Sequence, residues 1–168
     1  FIFENLDDDS SSAVKTKVEN YKKMTSPGTQ FYNLNFLMGI KTCQDFGFET
    51  PPIGDFRAKI GENGMDFYMD DSFEKIKIEY ETRKYFHWEI EFPSVFYDQN
   101  GKKLKKQGFD VILGNPPYIS LHASDPTERK YFYDKFNSAT KHFDLYVLFV
   151  ERSLSLLKND GVIGFILP

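Results

Sequence analysis

Two short, largely apolar runs, Phe109–Leu113 in "FDVILG" and Val162–Leu167 in "VIGFILP", lie on either side of a helical repeat. No other feature limits the fold as much. Phe143, Val147, Val150, Leu154 and Leu157 recur at steps of four, three, four and three. That spacing is one face of an amphipathic α-helix. Lys158 would sit in its last turn and Gly161 would stop it. Continuous apolar runs suit strands buried on both faces, and such strands are usually parallel. Strand, helix and strand in that order predict an α/β fold with a mostly parallel sheet.

The N-terminal part reads as less regular. A polar breaker, Asp7–Ser12, precedes a charged helix in "AVKTKVENYKKM", capped by one of the serines. Phe31–Phe46 is apolar enough for a buried helix, although Gly39 interrupts it. "GFETPPIGDF" is a loop. "GENG", Gly61–Gly64, lacks the Gly-Lys-Ser/Thr ending of a phosphate loop and reads as a turn. Ile76, Ile78 and Tyr80 alternate with charges, and Phe86, Trp88, Ile90 and Phe92 alternate with His87, Glu89 and Glu91. Period two predicts half-buried strand. The alternative for the first half is a charged helix running into an extended segment, because Glu and Lys suit helices. A further helix is expected from Pro126, with Ser124 or Asp125 as cap. The organisation read here is residues 1–72, partly helical and irregular, then 73–168, the α/β part. No internal repeat is present.

Composition adds bounds. The chain has 168 residues and a net charge of -4, so it is not globally basic. Lys102, Lys103, Lys105 and Lys106 form one local basic cluster, either a solvated loop or a nucleic-acid contact. Cys43 is the single cysteine and reads as a small buried hydrophobe. It allows no disulfide within the chain, which fits a reducing compartment. No run of about 18 apolar residues suggests a membrane span. The chain opens on "FIFENL" without Met and reads as a piece of a longer polypeptide. His87, Glu89 and Glu91 on one strand face would be a possible metal trio, and His142 is a further ligand type. No known ligand spacing supports a metal.

The chemistry is concentrated in "GNPPYIS", which follows the first apolar run. In open α/β sheets, ligands bind outside the carboxyl ends of the strands. Pro116 and Pro117 fix φ near -65° and remove two N–H donors. What remains is a stiff bend rich in acceptors, the Asn115 side-chain oxygen and backbone carbonyls, beside the Tyr118 ring. That combination suits a flat ligand bearing an amine. Its hydrogens would go to the Asn115 oxygen and the Pro116 carbonyl, and its ring would stack on Tyr118. The acceptors would free the delocalised lone pair of an aromatic amine and stabilise the charge that develops as it attacks. The plainer reading is a strand-ending turn with a surface tyrosine.

Asn115–Tyr118 resembles the motif that S-adenosylmethionine-dependent amino-methyltransferases carry after their fourth strand. "FHWEIEFPSVF" and "GFDVILGNPPY", followed by "DLYVLFVERSLSLLKNDGVIGFILP", are similar to large adenine-N6 DNA methyltransferases, in particular type IIG restriction–modification enzymes and related phage-defence methylases. The resemblance covers Tyr85–Pro168, about half the chain. It implies part of a Rossmann-like methyltransferase fold and S-adenosylmethionine as cofactor. The implied partner is double-stranded DNA with the target adenine flipped out. It also implies a bacterial or archaeal cytoplasmic enzyme. Asn115 and the Pro116 carbonyl would hold the target amine, Pro117 would rigidify the bend and Tyr118 would stack on the base. Phe149 matches an aromatic that lines the cofactor's adenine, and otherwise reads as a core residue. Asp144 reads as helix cap or functional group.

The family's glycine-rich cofactor loop is not found in residues 1–107; "PPIGDF" and "KIGENGMDF" do not fit it. The chain is therefore expected to begin after that loop and end before the sequence-reading domain. The rest of the polypeptide would be a needed partner. Two alternatives remain at this stage. The same loop serves methylation of RNA bases or of a protein glutamine, and the fold could persist as a non-catalytic binding module.

Overall fold

A computed structural model describes residues 10–50, 52–54 and 71–168. The turn read at Gly61–Gly64 lies outside them. The chain divides into two compact units between Glu91 and Phe92.

In the first unit, α1 (Ser11–Met24) starts where the Ser10 hydroxyl accepts the Ala13 N–H at 3.2 Å. Helix α2 (Gln30–Asp45) starts at Thr29, whose hydroxyl accepts the Tyr32 N–H at 3.2 Å. These caps satisfy donors that every helix start leaves unpaired. The third helix, α3, spans Asp71–Arg83. Phe36 and Ile40 of α2 are fully buried and form the core with Ile76 of α3. Tyr80 sets its ring edge-on to Phe36, with centroids 5.2 Å apart and planes at 80°.

Of the two readings of Ile76–Tyr80, strand or charged helix, the helix is the one that forms, and the strand is corrected. In a strand, Ile76, Ile78 and Tyr80 would share a face. Instead Ile76 is buried and Ile78 is 55% exposed, because residues four apart meet on a helix and residues two apart do not. The Glu and Lys between them also favour helix. The strand expected at Phe86–Phe92 is absent too. Single turns stand there, α4 (Trp88–Glu91) and, in the second unit, α5 (Pro93–Phe96). Pro93 occupies a first-turn position that costs no hydrogen bond. His87, Glu89 and Glu91 thus share no strand face. Among the described residues, no group of three or more His, Cys, Asp or Glu is placed to hold a metal ion. Also among them, no helix is long and apolar enough to cross a membrane.

The second unit is a mixed helix and strand assembly. Strand β1 (Phe109–Gly114) pairs in parallel with β2 (Leu157–Phe165). The register runs from Phe109↔Leu157 to Gly114↔Phe165. Between Phe109 and Val111 the chain advances two residues on β1, against five on β2 from Leu157 to Val162. The excess forms a bulge over Lys158–Gly161. Between the strands lie α6 (Pro126–Lys135) and α7 (Leu145–Leu156). Asp125 caps α6 through the N–H groups of Thr127 and Glu128, at 2.7 and 2.9 Å.

Helix α7 exists as its repeat predicts but ends earlier, at Leu156. Lys158 and Gly161 belong to β2, not to the helix end. Lys158 instead pairs with Asp110 at 2.7 Å, which pulls the Asp110 carboxyl below the usual range. A Cβ on Gly161 would lie 2.9 Å from the Phe109 carbonyl, so glycine there permits close strand approach. The buried line of α7 is Leu148, Ser153 and Leu156, whereas Leu154 is 57% exposed. The strands are not buried on both faces. Val111, Leu113 and Val162 stand exposed.

Two tests follow from the first unit. A Cβ at Gly39 would clash with Cδ2 of Tyr80. Gly39→Ala gains about 1 kcal/mol of helix propensity, against roughly 1–3 kcal/mol for overpacking. A lower urea midpoint is expected; a higher one would show that Tyr80 does not pack there. Tyr80 is pushed up to about 12, chiefly by burial, then by Tyr32, Glu91 and Glu81. A raised phenol favours folding while protonated, so its contribution is complete below the unfolded value near 10 and fades between there and about 12. Urea midpoints measured across that range should fall, and less steeply for Tyr80→Phe. An identical slope in both proteins would remove Tyr80 from the account.

Candidate target-amine site

Strand β1 starts at a close approach. Gly108 is buried at φ 115°, and a Cβ there would lie 2.7 Å from the Leu156 carbonyl oxygen. The strand ends at Gly114, whose carbonyl accepts the Ile166 N–H at 3.2 Å. Both strands therefore finish at the same edge, as a parallel ladder requires. Asn115–Ile119 leaves that edge without regular structure. Pro116 is buried, Pro117 is half-buried, and Asn115 and Tyr118 are exposed. The prolines thus seat the bend while the two side chains with usable chemistry face outward.

Tyr118 is 48% exposed, and its hydroxyl lies between two acceptors. The Ile166 carbonyl is 2.6 Å away and the Asn115 Oδ1 2.9 Å. A phenol carries one proton, so it cannot serve both fully. The shorter contact, to Ile166, ties the bend to the end of β2. Asn115 Oδ1 keeps accepting capacity. Among the described residues, no hydrogen bond reaches the Pro116 carbonyl. Tyr146 of α7 sets its ring at 80° to Tyr118, centroids 6.3 Å apart.

The structure thus brings Asn115 and Tyr118 together around the bend. Phe149 stands apart from them. It lies on α7, 47% exposed, and its ring makes no aromatic contact among the described residues. It is not a core residue. It does share a helix side with Tyr146, three residues earlier. Beside them, Tyr146, Val147, Val150 and Leu154 line an open groove of about 650 Å³ with Asn137, Ser138 and Glu151. This is the stripe that the repeat marked as core-facing.

Two contributors escaped sequence reasoning. The Ile166 carbonyl is backbone, and no residue type announces it. Glu151 accepts the N–H groups of Asn137 and Ser138, at 3.0 and 2.8 Å, and the Ser138 hydroxyl. Those bonds, the Ser138 hydroxyl first, hold its carboxyl below the ordinary range. They fasten the segment between the bend and α7. Asp144 is the N-cap of α7 by position but makes no side-chain capping bond. The exposed lysine cluster sits at the other end of β1. Lys105 and Lys106 line a groove there with Lys158 and Asp160.

The chain is 48% identical over 63 residues to the type II restriction enzyme and methyltransferase RM.Eco57I of Escherichia coli; that stretch is 36% of this chain and 6% of the relative. It is 43% identical over 90 residues to the provisionally named type II restriction enzyme and methyltransferase RM.MjaORFECS2P of Methanocaldococcus jannaschii, covering 54% of this chain and 6% of that one. The type II methyltransferase M.TthHB8I of Thermus thermophilus is 38% identical over 69 residues, 37% of this chain and 16% of its own. The matches thus span a small part of each relative's length. No solved structure matches the chain. The model of the Eco57I restriction-modification methylase family matches residues 55–168, more than half of the chain, and the chain belongs to that family.

Proposed function

We propose that this chain supplies the target-amine half of an adenine-N6 DNA methyltransferase within a type II restriction–modification system. The observation that carries the reading is the exposed Asn115–Tyr118 pair on a proline-stiffened bend at the shared end of two parallel strands. The relatives named above are restriction enzymes and methyltransferases, which supports DNA as the acceptor. Residues 73–168 would be the central part of a Rossmann-like catalytic domain. The remainder of that domain would cover the exposed Val111, Leu113 and Val162. The host would be a bacterium or archaeon and the enzyme cytoplasmic.

In this reading the adenine leaves the duplex, because its amine is unreachable in the stack. The Tyr118 ring receives one face of the base. Asn115 Oδ1 and the Pro116 carbonyl accept the two N6 hydrogens and draw the nitrogen towards sp³. Tyr118 releases Asn115 Oδ1 by directing its O–H hydrogen bond to the Ile166 carbonyl alone. The N6 proton lost after methylation passes to solvent. S-adenosylmethionine would supply the electrophilic methyl group when bound. The half-exposed Phe149 ring suits the flat adenine of that cofactor, and it is the one cofactor contact assigned to this chain. No glycine-rich loop in the sequence holds the rest. The 168-residue chain alone is therefore expected to show little or no turnover.

The test uses the polypeptide that carries this segment, with labelled S-adenosylmethionine and duplex DNA, RNA and protein as acceptors. DNA is expected to be labelled at adenine N6. Asn115→Ala should lower kcat by about 10²–10³, by analogy with removing one preorganised group at a developing charge. Tyr118→Ala should cost roughly 1–3 kcal/mol of stacking. Tyr118→Phe keeps the ring and should lose only about 0.5–1.5 kcal/mol. Normal methylation by both alanine variants would overturn the site, and labelling of RNA or protein alone would overturn the acceptor.

A further inference from the structure

The chain contains three histidines, and two of them meet. His122 Nε2 lies 2.7 Å from His142 Nδ1, with ring centroids 4.8 Å apart and planes tilted by 42°. Both residues are exposed. The closeness of the centroids means that the two nitrogens face each other almost head-on. A neutral imidazole has one N–H and one lone pair, so the pair shares a single proton between two converging lone-pair directions.

The location gives this contact a consequence. The chain leaves the target bend, makes an excursion through α6, and returns to start α7. Its neck is an antiparallel contact. The Leu121 N–H donates to the Phe143 carbonyl at 3.1 Å and the Leu145 N–H to the Ile119 carbonyl at 2.8 Å. A bridge joins Ser120 and Asp144. His122 and His142 lie one step beyond this ladder, at the first position where side chains could clasp the excursion. The far side is already fastened by Glu151 on Asn137 and Ser138, and by the Tyr133 hydroxyl on the Lys141 carbonyl at 2.6 Å.

We propose that His122 and His142 form a two-imidazole seat for a borderline divalent transition-metal ion, zinc being the reference, which replaces the shared proton and clasps the neck of this excursion. Imidazole nitrogen is a preferred ligand of zinc, cobalt, nickel and copper, whereas magnesium and calcium take oxygen. Zinc–nitrogen bonds of about 2.0–2.1 Å at a tetrahedral angle need the nitrogens roughly 3.3 Å apart. Exposed rings can open by that difference. Among the described residues no third His, Cys, Asp or Glu completes a cluster, so water fills the other positions. The site is therefore weaker than a structural zinc centre. Closing a loop of this length with a clip limits the unfolded chain and raises stability. The inference does not depend on the methyltransferase reading.

The test is calorimetric titration of the chelator-stripped 168-residue chain with Zn²⁺, and with Mg²⁺ as the contrast. One Zn²⁺ per chain is expected, together with a zinc-dependent rise in Tm. His122→Gln and His142→Ala should each weaken binding by at least about tenfold, or 1.4 kcal/mol. His87→Ala should bind as the wild type does. Wild-type imidazole ¹⁵N spectra provide the same readout without a substitution, with two histidines shifting on zinc addition and the third unmoved. Absence of saturable zinc binding, binding that survives His142→Ala, loss of binding in His87→Ala, or equal binding of Mg²⁺ would each overturn the proposal.

Discussion

The parallel pairing of β1 with β2 decides where every element of the candidate site can stand. A parallel ladder brings two strand ends to one edge, whereas an antiparallel ladder sets an end beside a start. Gly114↔Phe165 closes this ladder, and the Ile166 N–H adds a bond to the Gly114 carbonyl beyond it. Only then is the Ile166 carbonyl within 2.6 Å of the Tyr118 hydroxyl. The bend is thus held at both ends, by the strand that enters it and by a side-chain bond to the neighbouring strand. Two prolines remove most of its remaining backbone freedom. An acceptor site for an amine needs this stiffness, because preorganised oxygens need not reorganise as charge develops.

Where the signal is local, the sequence was readable. Ser10 and Asp125, within the cap readings, bond nearby N–H groups, and α1 and α6 begin beside them. The Asn115–Tyr118 bend at a strand end is equally local. From Ile76 to Phe92 the local signal was divided, with a charged helix open for the first half beside the strand reading. Its alternation fits a strand, and what overrode it is tertiary: Ile76 and Tyr80 reach Phe36 together only from a helix. Gly39 weakens α2 by propensity, yet it is the point that admits Tyr80. The end of α7 failed for a related reason. Leu157 continues the helical apolar spacing, but its place is opposite Phe109 in the ladder. Residue identity carries no mark of that choice, nor of the Ile166 carbonyl.

Cys43 is the small buried hydrophobe that the sequence led one to expect. Its thiol is 1% exposed and donates to the Tyr85 hydroxyl at 3.6 Å. Burial, the largest influence, pushes the thiol above its usual range, and Tyr85 is pushed up as well. A nucleophilic thiol needs the opposite setting, partly exposed and electropositive. The residue acts as packing in the first unit.

The second unit also carries an imbalance that bears on the site. Residues 145–150, "LYVLFV", are apolar around the whole circumference of α7, and such a helix is stable when covered on every side. It buries one line, at Leu148 and Leu156, and leaves Val147, Val150 and Leu154 along an open groove. Val111, Leu113 and Val162 are likewise exposed on the sheet. Each such side chain forgoes part of the ~1.5–3 kcal/mol that full burial provides. A two-stranded sheet is itself marginal without packing. The ladder that positions Asn115, Tyr118 and Ile166 therefore depends on cover for these faces. Substitutions on the open faces should accordingly act on the amine site through the register of β1 and β2, without touching it.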